Sequence, residues 1–98
     1  MIDKEIQKQV VEIIRAHRKP EKIVLFGSRA IGNNTERSDY DIAIFDKNIT
    51  GAEINLIKNA LEEDIPVPVK FDVLNYYAIT KESLKQNIVK EGKVLYES

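Results

Sequence analysis

The sequence contains no cysteine and a single histidine, His17, in 98 residues. Disulfide scaffolds, thiolate metal sites and thiol nucleophiles are thereby excluded, and so is a multi-histidine zinc site within one chain. Long apolar runs are missing too. The N-terminus alternates charged and apolar residues, where a secretory signal needs roughly 7–15 unbroken apolar ones. No window approaches the roughly 18 apolar residues of a membrane span. The triplets Asn33-Asn34-Thr35 and Asn48-Ile49-Thr50 fit the N-glycosylation pattern, which means nothing without a secretory route. The expectation is a cytoplasmic protein with no membrane partner. An excess of charge of one sign is also lacking: 15 Lys+Arg against 16 Asp+Glu leave −1. That balance argues against direct nucleic-acid binding by bulk electrostatics. With 43% hydrophobic residues the chain is too apolar for disorder, and its length allows one domain, residues 1–98.

Residues 3–18 read as an amphipathic helix, with Ile2, Ile6, Val10, Ile13 and Ile14 near one face and Pro20 blocking continuation. Val11 points away from that face. Lys22–Phe26 is β-branched, too short for a helix, and reads as a buried strand ended by Gly27. Residues 27–38 form a polar loop with room for one helical turn. Asp39–Phe45 resumes strand character. Thr50-Gly51-Ala52-Glu53 matches a capping box and opens a helix to about Glu63. Its core stripe is Ile54, Ile57 and Leu61, and Ala52, Leu56 and Ala60 form a weaker second one. Pro66 and Pro68 lead into a strand, Val69–Leu74, which alternates Val69, Phe71 and Val73 against Lys70, Asp72 and Leu74. Thr80 is placed to cap a last helix to about Glu91, with Leu84, Ile88 and Val89 inward and Gly92 as its stop. Val94-Leu95-Tyr96 reads as a short extended tail. The fold class is α+β, a small mixed three-stranded sheet with flanking helices.

Three features carry chemistry. Gly27-Ser28 follows a buried strand, where a glycine lets the backbone approach a ligand and the turn offers N–H groups suited to phosphate. Taken alone it is also what a plain turn looks like. Asp39-Tyr40-Asp41 puts two carboxylates on one face of a strand, a repulsive arrangement that a hard cation such as Mg²⁺ would relieve. A solvated strand end is the bland account of it. Asp72 is an acid inside an apolar strand, where charged residues are depleted and Lys70, two residues away, is a poor partner. If all belong to one site, the strands ending at Gly27 and beginning at Asp39 run antiparallel, with the site at one end of the sheet. Tyr76 and Tyr77 read as packing, and His17 as a solvated helix end.

Gly27-Ser28, ten residues, then Asp39-x-Asp41 arises by chance in about one chain per thousand of this length. With a third Asp on a later strand, it resembles the nucleotidyltransferase superfamily that includes DNA polymerase beta. The short form is similar to the minimal nucleotidyltransferases, or MNT proteins. The similarity extends to the opening helix, Gly-Ser-Arg-Ala-x-Gly at 27–32, Ser38, and Glu91-Gly92-Lys93-Val94-Leu95-Tyr96. It implies the polymerase-beta-like fold and roles for matching positions. Asp39 and Asp41 would bind Mg²⁺ bridging the triphosphate of ATP, the nucleotide donor. Asp72 would share a second Mg²⁺ and take the proton of the attacking hydroxyl. Gly27 and Ser28 would hold the β- and γ-phosphates, Arg29 would add a phosphate contact, and Ser38 would support the first carboxylate. Many relatives carry a second Arg where this chain has Ile31, so one phosphate contact is missing. Short members of the family commonly pair with a small helical HEPN-domain ribonuclease as antitoxin and toxin. The resemblance therefore implies transfer of AMP to a partner hydroxyl, a tyrosine. The alternative is a non-catalytic nucleotide-binding module that neutralises or scaffolds its HEPN partner by contact.

Overall fold

Three short apolar runs alternate inward and outward and build a mixed sheet, which a fourth run completes. The computed structural model describes residues 3–98, so Ile2 of the expected helix face lies outside the described residues. The order is α1 (Asp3–His17), β1 (Lys22–Phe26), α2 (Ser28–Ile31), β2 (Tyr40–Phe45), α3 (Gly51–Asp64), β3 (Phe71–Asn75), a 3-10 turn (Tyr76–Ala78), α4 (Glu82–Glu91) and β4 (Lys93–Glu97). The sheet runs β3-β2-β1-β4. β1 is antiparallel to both neighbours, whereas β2 and β3 are parallel and joined through α3, as a parallel pair requires. The sheet therefore has four strands rather than the expected three. The supposed tail pairs with β1, whose outward N–H and C=O groups would otherwise be an open edge.

Strand alternation splits the core into two layers. Ile23, Leu25, Tyr40, Ile42, Ile44 and Phe71 face α1 and α3, where they meet Ile6, Val10, Ile14, Ile57 and Leu61. Val24, Phe26, Ala43 and Phe45 face the other way, against Ile88 of α4 and the partly buried Leu74, Tyr76 and Ile79. Each fully buried Ile or Phe stabilises by roughly 1.5–3 kcal/mol relative to exposure. Among the described residues no helix is long and apolar enough to cross a membrane.

The helix signals hold at α3 and in part at α4, where Leu84 and Ile88 face inward as expected. Thr50 Oγ1 accepts the Glu53 N–H at 3.1 Å, and the Glu53 carboxylate accepts the Thr50 N–H at 3.0 Å, a complete capping box. α4 starts later than expected: Lys81 holds the cap position without a side-chain bond, so Thr80 is not the cap. Ile79 is drawn into the second core layer just before it, which leaves Thr80 outside the first turn. Val89, expected inward, is 64% exposed, because Ile88 takes the one inward position at that turn. Gly92 does end α4, though with an ordinary φ of −70°. A Cβ there would collide with the Ile88 carbonyl and the Val24 side chain, so the glycine serves close passage of α4 into β4.

One buried charge pins these elements. Asp46, 6% exposed at the end of β2, accepts Arg18 Nε at 2.9 Å, Arg18 Nη2 at 3.1 Å and the Asn48 N–H at 2.9 Å. Arg18 also reaches Glu53 at 3.4 Å, tying the end of α1 to the start of α3. The Arg18 hydrogen bond is the main cause that holds the Asp46 carboxyl below its ordinary range. Asp46→Ala should cost about 2 kcal/mol at pH 7, the worth of charged hydrogen bonds, and lower Tm by roughly 8–16 °C. Because the folded-state pKa is depressed, this stabilisation is present above the unfolded value of 3.8 and is lost as pH falls through the folded one. Thermal melts of the two proteins should therefore converge in acid.

Candidate active site

The strand register gathers the sequence-predicted residues at one end of the sheet. Antiparallel pairing sets Phe26, the last residue of β1, opposite Asp41 near the start of β2. Parallel pairing sets Asp41 opposite Asp72. Gly27, Ser28, Asp39, Asp41 and Asp72 therefore converge, and the expected antiparallel arrangement of the first two strands is observed. Asp41 and Asp72 alternate with residues of the α1/α3 layer, so both carboxylates face the α4 side of the sheet.

Gly27 makes the close approach possible. Its φ of 76° and ψ of −159° lie in a region essentially reserved for glycine. A Cβ at this position would run into the Asp41 carboxylate. The chain thus turns from β1 into α2 directly across that carboxylate, and Ser28 opens the helical turn with N–H groups that have no intrahelical acceptor.

Electrostatics mark the same spot. The Asp41 carboxyl is pushed up to about 6, first by burial, then by the charge and hydrogen bond of Asp72, and last by the charge of Asp39. Among the described residues, none of these three carboxylates forms an ion pair with Lys or Arg. Hard oxygen donors with uncompensated charge suit Mg²⁺, so the residues fit the expected ion. They are not drawn into a ready-made cluster, since no group of three acidic or histidine side chains among the described residues is close enough to hold a metal. Asp39 explains part of this: its Oδ1 accepts the Lys70 N–H at 3.0 Å, bridging the mouths of β2 and β3.

Two of the expected contacts are placed elsewhere. Arg29 donates from Nε to the Ser38 carbonyl at 2.9 Å and from Nη2 to the Thr35 carbonyl at 3.3 Å. Its guanidinium lies 4.1 Å over the ring of Tyr40, on the opposite face of the sheet from Asp41 and Asp72. Arg29 is thus engaged as a strut for the 32–38 loop rather than offered to a phosphate. Ser38 Oγ accepts the Thr35 N–H at 2.9 Å, so it braces the loop and not the Asp39 carboxylate. The Lys70 N–H fills that supporting role. Ile31, at the position of the missing Arg, is 52% exposed. Tyr76 stacks on Phe45 at 4.2 Å, at the far end of the sheet, which makes it a packing residue as expected.

A family profile described as polymerase beta nucleotidyltransferase matches residues 8–98. The chain belongs to this nucleotidyltransferase family. No curated protein matches the sequence. Solved structures show the same nucleotidyltransferase fold. A chain from a crystal structure of a toxin–antitoxin with AMP-PNP superposes with a TM-score of 0.82 at 22% identity, over 94% of this chain and 73% of that one. A chain from the complex of a tri-AMPylated Shewanella oneidensis HEPN toxin with its MNT antitoxin gives 0.74 at 20% identity, over 99% and 74%. A protein assigned as a minimal nucleotidyltransferase gives 0.73 at 23% identity, over 92% and 89%.

Proposed function

We propose that this nucleotidyltransferase is the antitoxin of a HEPN/MNT pair and transfers AMP from ATP to a tyrosine hydroxyl of a HEPN-family ribonuclease. The observation that carries the reading is the Asp41–Asp72 pair, side by side with no Lys or Arg ion pair among the described residues and crossed by the Gly27 turn. Structural likeness to a toxin–antitoxin bound to AMP-PNP and to an AMPylated toxin complex supports the donor and the acceptor class. Asp39, Asp41 and Asp72 would hold Mg²⁺, which when bound neutralises phosphate charge and polarises the phosphorus. Gly27 and Ser28 border the place of the β- and γ-phosphates. The acceptor oxygen forms a bond to the α-phosphorus while the bond to the pyrophosphate oxygen breaks, and Asp72 takes the hydroxyl proton. Leu56 on α3, 59% exposed, is available for a partner contact, whereas Val11 is partly covered between α1 and β4.

Transfer of α-phosphate label from ATP, with Mg²⁺, to protein in a lysate of the source cells tests this. A labelled small protein should appear with the wild type and vanish with Asp39→Asn plus Asp41→Asn. A partner that still co-purifies but takes no label would replace transfer by contact inhibition.

A further inference from the structure

β3 is an edge strand, yet its first residue is not open on the outside. The Tyr40 N–H donates to the Lys70 carbonyl at 3.0 Å, and Tyr40 is in register with Phe71. In a parallel ladder this turns the Asp72 N–H toward Tyr40 and leaves the N–H and C=O of Phe71 facing away from β2. Both outward groups are taken by α3. Lys58 Nζ donates to the Phe71 carbonyl at 2.6 Å, and Glu62 Oε2 accepts the Phe71 N–H at 3.0 Å. The two side chains, one helical turn apart, also pair with each other at 3.0 Å. The Phe71 N–H is the main cause that holds the Glu62 carboxyl below its ordinary range.

We infer that Lys58 and Glu62 are positioning residues that act as a substitute strand outside β3, fixing the Phe71 peptide groups and thereby the height of Asp72 against Asp41. The residue they grip is next to the acid assigned above to the acceptor proton, so the inference rests on that reading of Asp72. Without the pair, the start of β3 is held on one side only and Asp72 drifts along the sheet edge. A misplacement of about 1 Å at a reacting group lowers rate by up to about 100-fold.

The test uses Lys58→Met, which keeps the aliphatic stem, Glu62→Leu, Glu62→Gln, which keeps a carbonyl for the Phe71 N–H, and Thr50→Ala. The last weakens the cap of the same helix without touching β3 and controls for stability. Two readouts are taken: hydrogen exchange at the Asp72 amide, and label transfer resolved into kcat and KM for ATP. Lys58→Met and Glu62→Leu should speed Asp72 exchange and lower kcat by about tenfold with KM within about twofold, while Glu62→Gln retains most of both and Thr50→Ala leaves both near wild type. Equal behaviour of Lys58→Met, Glu62→Leu and Thr50→Ala overturns the inference, as does faster exchange with unchanged kcat. If the wild type transfers no label, the transfer reading falls, and Asp72 exchange alone decides whether the pair positions the strand.

Discussion

Gly27→Ala should lower nucleotide transfer at least 100-fold and destabilise the protein by about 2–4 kcal/mol. Two independent costs add. The backbone at φ 76° and ψ −159° is one an L side chain rarely adopts, and holding a non-glycine residue there costs about 1–3 kcal/mol. The new methyl group would also occupy the place of the Asp41 carboxylate, and displacing this side-chain end costs about 1 kcal/mol more, the low end for extra atoms in a packed site. The protein can relieve the clash only by moving Asp41 or the turn, and both belong to the proposed site. Gly32 provides the control, since its φ is 77° but a Cβ would meet nothing within 4 Å. Gly32→Ala should therefore show a backbone penalty alone, smaller than that at Gly27 because its ψ of 16° is left-handed helical, with transfer retained. Thermal melts and label transfer on the two variants separate strain from site disruption. Equal transfer by both would show that the Gly27 turn is not pressed against Asp41 in solution.

Asp41→Asn should abolish transfer, by about 1000-fold, and yet stabilise the protein at neutral pH. The carboxyl sits near pKa 6 rather than 3.8 because it is partly buried and faces Asp72 and Asp39. The folded state therefore holds its proton more tightly than the unfolded one. Between the two values stability falls as pH rises, and above about pH 6 the whole penalty is present. Removing the charge should gain about 1 kcal/mol at pH 7.5, once solvent screening of this partly exposed group is allowed for. That corresponds to roughly 4–8 °C in Tm. Below pH 4 the wild type is protonated there as well, and the two melts should coincide. Mg²⁺ should raise the melting temperature of the wild type and not of the variant. A variant less stable than the wild type at pH 7.5 would show that the carboxylate charge is already compensated.

The residues that meet at the sheet end were readable in the sequence because each breaks a local rule: Gly27 closes an apolar strand, Asp39 and Asp41 share a face, and Asp72 interrupts an apolar run. The strands around them announced themselves by β-branched alternation. What was not legible depends on contacts distant in sequence. Arg29 looks like a phosphate ligand until the Ser38 and Thr35 carbonyls and the Tyr40 ring are found around it. Arg18 and Asp46 are 28 positions apart, and only the packing of α1 over the sheet, with its end beside the end of β2, makes them partners. An acid directly after the apolar run of β2 was the one available sign. β4 was hidden because it is half-exposed at the sheet edge and irregular, with a register shift opposite Ile23 and Val24, so no clean alternation marks it. Lys58 and Glu62 read as an ordinary helix-surface pair, because nothing local tells that an edge strand lies beneath them.

The sheet order also has a consequence in time. β1 and β2 are joined by residues 27–39 and pair antiparallel, so their encounter closes a short loop at small entropic cost. β3 can join only after α3 has formed and crossed over, a more distant contact and hence a slower one. The glycine turn and the first two acids are thus expected to meet early in folding, while the third acid arrives last. Mutual repulsion of the full set is then met only once most of the apolar core is in place to oppose it. A pulse-labelling exchange experiment during refolding should show amides of β1 and β2 protected before those of Asp72 and Leu74, which point into the β2 ladder.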